Sequence, residues 1–260
     1  MKPLFHGAIT ALALAVCAAA VPARALGPDE VRKVVTEVDE RQRAVGDFKA
    51  HAFITQKQKG REDVAWESVF YRRGADNKFM FLVLAPRTEA GQGYLRIDNN
   101  LWLYSPRTGK WERVTERDRI LGTEGRRQDF DESTLSEDYD AAFVADDKVG
   151  KFATWKIRLS AKAGKDLAWP MIELQVDQAS RNVLKRQEFS LSGKLMRTTL
   201  FPKWLKMQTP GGKDVWYAEQ IHLFDEVEKA NRSVIRLQAV DLSDLPKNMF
   251  TKAWLESKSR

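Results

Sequence analysis

One cysteine and three histidines among 260 residues leave the chain short of the side chains that do most metal and nucleophilic chemistry. Cys17 has no second cysteine to pair with, so no intrachain disulfide forms. A domain of this kind in an oxidising compartment must be held by its core. His51 and His222 each stand alone on a strand-like segment, without an acidic or histidine neighbour at ligand spacing. Gly91-Gln92-Gly93 is too short for a phosphate loop, and there is no nucleophile elbow. Asp129-Phe130-Asp131-Glu132 lacks the glycine and spacing of a calcium loop and reads as a solvated acidic stretch. No acid–base pair or nucleophile can be defended from spacing, so neither an enzyme nor a metal or cofactor is expected. The formal charge is +7, with both signs mixed along the chain. That suits solubility or an anionic membrane surface. No basic run or recognition motif supports nucleic acid as a partner.

Long apolar runs are also missing. The longest, residues 8–20, falls short of the about 20 apolar residues that a spanning helix needs. With Lys2 before it and Ala23-Arg24-Ala25 after it, the run has the layout of a secretory signal peptide. This predicts a leader over 1–25, cleaved between Ala25 and Leu26, and an exported chain. Val16 stands where a lipid-attachment site wants a small residue, so Cys17 reads as an apolar filler that is discarded. Residues 26–260 show no composition break and no internal repeat, which predicts one domain.

The exported chain starts as an amphipathic helix over 28–45. Pro28 suits the first helical position, Asp29 and Glu30 suit the first turn, and Val31, Val34, Val35 and Val38 share one face. From Phe48 the period changes to two, and strand-like segments follow one another through short turns. Pro106-Arg107-Thr108-Gly109 marks one hairpin and Ser192-Gly193-Lys194 another. Residues 122–142 interrupt the pattern with a polar, acidic insert. Leu135, Tyr139 and Phe143 are spaced by four there and predict a short helix. The whole reads as an α+β fold: one strongly curved antiparallel sheet that wraps its helices. Its many strand aromatics either fill a core or line an apolar hollow; composition does not separate the two.

Several stretches resemble the LolA-like periplasmic lipoprotein-sorting proteins. They are Asn77-x-Phe79-x-Phe81 leading to Pro86, Gly91-x-Gly93-Tyr94-Leu95, and Leu101-Trp102-Leu103-Tyr104-Ser105-Pro106. The hairpin around Val183–Phe189 and the closing Asp244-Leu245-Pro246-x-x-Met249-Phe250 extend the likeness over most of residues 26–260. The resemblance implies an unclosed β-barrel of about eleven strands, with helices over the open side. It implies a periplasmic carrier that binds acyl chains of lipoproteins or lipids and moves them towards the outer membrane. Its partners would be an inner-membrane exporter and an outer-membrane acceptor. The hollow would be lined by Phe79, Phe81, Val83, Trp102, Tyr104, Trp111, Phe189, Val35 and Val38, while Met80, Leu82 and Leu84 face away. A second reading keeps the fold but makes the protein a non-shuttling, lipid-sensing or accessory module of a membrane exporter. The insert at 122–142 departs from the best-known carriers.

Overall fold

The computed structural model describes residues 25–98, 100–115 and 118–259; the expected leader over 1–25 lies, but for Ala25, outside them. Helix α1 (Pro28–Arg43) opens the fold. The Glu30 carboxylate accepts from the Gly27 amide at 2.8 Å, and Arg41 and Arg43 sit in the last turn, as the helix dipole favours. Six strands follow: β1 (Asp47–Lys57), β2 (Val64–Arg73), β3 (Lys78–Ala85), β4 (Gly93–Ile97), β5 (Asn100–Ser105) and β6 (Lys110–Val114). A stretch of 3-10 turns leads to the short helix α2 (Leu135–Asp138). Then come β7 (Tyr139–Val149), β8 (Phe152–Ala161), β9 (Met171–Asp177), β10 (Val183–Phe189), β11 (Leu195–Gln208), β12 (Asp214–Asp225) and β13 (Arg232–Asp241). Helix α3 (Lys252–Lys258) closes the chain.

All thirteen strands form one antiparallel sheet in the order β6-β5-β4-β3-β2-β1-β13-β12-β11-β10-β9-β8-β7. The first and last strands of the central series, β1 and β13, pair with each other. The edges β6 and β7 do not, so the barrel stays unclosed. They are consecutive in sequence yet lie at opposite ends of the sheet, and the chain between them crosses the inner face.

Thirteen strands stand where about eleven were expected, and β7 is the one that the sequence reading placed elsewhere. A spacing of four is even, so Leu135, Tyr139 and Phe143 satisfy strand alternation as well as a helix face. The helix stops at Asp138, and from Tyr139 the chain runs extended along β8.

Register assigns the faces. Ala50, Phe70, Phe81, Tyr94 and Leu103 lie side by side across β1 to β5. This is the inner face. At one end of it α1 lays Val31, Val34 and Val35 onto Ile157, Leu159, Ile172 and Leu174. On the outer face, α3 and the segment before it cover Met80 and Leu95 with Met249, Phe250 and Leu255. Gly93 makes that contact possible, because a Cβ there would stand 2.8 Å from both Leu255 methyl carbons. Leu255 is fully buried and has no room to yield. Gly93→Ala is expected to cost about 1–3 kcal/mol by overpacking. Urea unfolding checks this, and faster tryptic cleavage at Lys252 and Lys258 would show that α3 has lifted.

Candidate functional site

The inner face between β1 and β6 is an apolar wall of Ile54, Trp66, Phe79, Phe81, Val83, Tyr94 and Leu101. The segment from Asp118 to Asp138 lies over it. Its apolar residues Ile120, Leu121 and Phe130 pack into the wall. The Phe130 ring lies 5.1 Å from Phe79 and 6.3 Å from Phe70. Leu121 adopts a left-handed backbone, φ 54°, which a non-glycine residue takes only at some cost. Its amide is held at 3.2 Å by the Tyr94 hydroxyl, whose pKa burial pushes up to about 12. Gln56 Nε2 donates to the Gly122 carbonyl at 2.5 Å.

Phe130 is flanked by two carboxylates, and each meets an arginine of the sheet. Asp129 accepts two parallel bonds of 2.5 Å from the guanidinium of Arg197 on β11. Arg197 also donates to Glu188 through Nε and Nη2, and to the Glu124 carbonyl at 2.9 Å. All five N–H groups of Arg197 are therefore used. Burial opposes the charge on Asp129, but the charge and bonds of Arg197 outweigh it and hold the carboxyl below its ordinary range. Burial likewise opposes the charge on Arg197, and Asp129 and Glu188 reverse that effect. On the other side Asp131 accepts from Arg96 of β4, which also donates to Asn77 Oδ1 at 2.6 Å and to the Phe130 carbonyl at 2.9 Å. Arg96 is 2% exposed.

The end of the segment is fixed to α1. Asp39, buried in that helix, accepts from the amides of Leu135 and Ser136 at 3.1 and 2.8 Å and from the hydroxyls of Ser133 and Ser136. Arg43 pairs with Glu132 at 2.8 Å. A cavity of about 260 Å³ remains beside the segment, lined by Arg119, Glu124, Trp169, Met196 and Arg197 among others. It lies below the roughly 300–1,000 Å³ of pockets that enclose drug-sized molecules. Among the described residues no group of three or more His, Cys, Asp or Glu side chains could hold a metal ion.

The structure corrects the sequence reading of 129–132 as a solvated acidic stretch: Asp129 is the bidentate partner of a buried arginine. The nine expected hollow residues are not brought together. Phe79, Phe81 and Val83 stand on the inner wall beneath Phe130 and Leu121. Val35 and Val38 belong to the same face but to the cluster under α1. Trp102, Tyr104 and Trp111 stand on the outer face beside α3. Lys252 Nζ lies 4.8 Å from the ring of Trp102 and 5.0 Å from that of Trp111. Trp111 Nε1 donates to Glu256 at 2.7 Å. Phe189 ends β10, half-buried, outside these clusters. Met80, Leu82 and Leu84 point away from the inner wall, Met80 under α3 and Leu84 into solvent. Sequence reasoning missed Arg96 and Arg197. For Arg96 the available signal was an arginine at an inward position of an otherwise apolar strand, two residues from Tyr94; Arg197, followed by Thr198 and Thr199, gave no such signal.

A family model described as "Uncharacterized protein"-like matches residues 75–257. No curated protein matches the chain in sequence. Among solved structures, a domain from Vibrio parahaemolyticus assigned to outer membrane lipoprotein sorting superposes with a TM-score of 0.76 at 18% identity. The match covers 88% of this chain and 100% of that one. A DUF1329 family protein from Desulfovibrio piger gives 0.74 at 16% identity, covering 86% and 99%. A LolA superfamily protein from Nitrosomonas europaea gives 0.70 at 18% identity, covering 86% and 98%. The chain belongs to the family whose model spans residues 75–257, and it has the fold of the LolA-like lipoprotein-sorting proteins.

Proposed function

We propose that this protein is a periplasmic carrier. It takes acyl chains of lipoproteins or lipids onto the inner wall of its open barrel and moves them towards the outer membrane. A fold hosts many functions, so the reading rests on the site. The observation that carries it is the wall of Phe79, Phe81, Val83 and Tyr94, covered by a segment of turns and not by a sheet or a long helix. Such a cover can move while the sheet stays intact. Each methylene buried there gains about 0.8 kcal/mol, so one chain suffices for useful affinity. Binding requires a second state with the cover displaced, and ligand shifts the population towards it.

The test is native mass spectrometry of the protein purified from the periplasm without detergent. A bound lipid or acylated peptide is the expected result. A clean unliganded mass that gains nothing from added lipid would overturn the carrier. That outcome would favour the second reading, a non-shuttling accessory module of a membrane exporter. The packing of Ile120, Leu121 and Phe130 against the wall is the observation on its side.

A further inference from the structure

The cover over the inner wall has the chemistry of an amphiphile. Phe130 supplies an apolar group packed against Phe79 and Phe70, and Asp129 and Asp131 supply an anion on each side of it. We infer that Asp129-Phe130-Asp131 occupies a binding site for an anionic amphiphile, whose acyl chain replaces Phe130 and whose phosphate or carboxylate takes the place of Asp131 at Arg96. The inference rests on the carrier reading and adds the class of lipid.

The argument is one of charge and burial. Arg72, Arg96, Arg186 and Arg197 all stand at inward positions of the sheet, in register with Phe79, Leu101, Thr199 and Asp225. Their sheet-borne counter-charges are Glu188 and, towards the β12–β13 turn, Asp225. Asp225 is engaged by the amides of Val227 and Glu228 and by Arg119 of the cover at 2.8 Å. The cover brings the remainder: Asp129 to Arg197, Asp131 to Arg96, and Glu132 into the field of Arg72 and Arg96. Once the cover moves away, Arg197 keeps Glu188 but Arg96 loses its carboxylate partner, and with a neutral chain in place leaving a buried charge in this way costs several kcal/mol. An anionic headgroup restores the charge-assisted bonds, and guanidinium geometry suits phosphate and carboxylate alike. Site and ligand therefore match at both ends, and a neutral acyl chain matches at one.

The experiment is calorimetric titration of the full chain with three probes: lauroyl lysophosphatidic acid, monolauroylglycerol and inorganic phosphate. The lysophosphatidic acid is expected to bind at least about tenfold tighter than monolauroylglycerol, the worth of one charge-assisted hydrogen bond. Inorganic phosphate alone is expected not to bind. Asp131→Asn, at a partly exposed carboxylate, weakens the cover and is expected to tighten lysophosphatidic acid binding severalfold. Arg96→Gln is expected to erase the preference between the two lipids. Its fold is checked by urea unfolding, and Arg96→Lys retains the charge if the glutamine variant fails that check. Equal affinity for the two lipids would overturn the anionic site and leave the carrier standing. Binding of neither lipid would overturn both. Phosphate binding as tightly as lysophosphatidic acid would show an anion site with no amphiphile character and would overturn the inference.

Discussion

Arg197→Met is expected to destabilise the protein by about 3–5 kcal/mol at pH 7, the cost of leaving buried charges without their partner. Glu188 is fully buried and keeps only Arg186 at 2.9 Å, and Asp129 loses its two-pronged partner, so the variant leaves both carboxylates short of counter-charge beneath the cover. The pH dependence carries the sign of the effect. In the native protein Asp129 is held below its ordinary range. Its contribution to stability is present above the ordinary aspartate value of about 4 and is lost as pH falls through the lower folded value. Without Arg197, only the charge of Arg186 and the Arg126 amide bond remain to offset burial at Asp129, so ionising it in the folded state becomes less favourable. That penalty is full at neutral pH and shrinks as acid protonates the carboxyl. The gap between native and variant is therefore expected to be widest near pH 7 and to narrow towards pH 4. Urea unfolding at several pH values checks it. A gap that stays constant across this range would mean that the network is not formed in solution. Arg197→Lys should fall between the two, because it keeps the charge and loses the two-pronged contact with Asp129.

Removing the ring of Phe79 should cost about 3–5 kcal/mol, the usual loss for a buried phenylalanine cut back to alanine. Phe79 is 2% exposed and touches Phe70 and Phe130 edge-on or tilted, with the Arg96 guanidinium 5.7 Å from its ring centre. Phe130→Ala should cost less, because its ring is only half-buried and sits on a segment of turns. The informative quantity is the double variant. If Phe130 rests on Phe79 in solution, the two losses should fail to add by about 0.5–1.5 kcal/mol, the worth of an aromatic pair. Energies that add to within about 0.5 kcal/mol would mean that the cover is already displaced in the free protein. Phe130→Ala should also raise the affinity for any acyl chain that enters, since one competitor for the wall has been removed.

Most of the sheet was legible because many strands keep an apolar alternation, others are continuous apolar runs, and the hairpins have their turn residues. Helix α1 was legible from Pro28 and the valine face, ending at Arg43, two residues before its predicted end. The faces were harder. Leu101-Trp102-Leu103-Tyr104 is apolar at every position, so only the pairing of Leu103 with Tyr94 decides that the leucines point inward and the aromatics outward. The ion pairs of the cover lay out of reach for another reason. Asp129 and Arg197 are 68 positions apart, and Arg96 and Asp131 are 35 apart. No local pattern links such residues, and an acidic stretch looks the same whether water or a buried guanidinium neutralises it.

The cover runs between the two strands that leave the barrel open, β6 and β7, and is anchored at both ends. It can swing aside but cannot diffuse away. A segment tethered in this manner presents itself to the wall at an effective concentration in the millimolar range. Any lipid measured on the intact chain is thus competing with an intramolecular rival, and its apparent affinity understates the intrinsic one. On the proposed carrier reading, the same tether would set the order of events at unloading: as a lipid departs, the chain itself would refill the wall before water can.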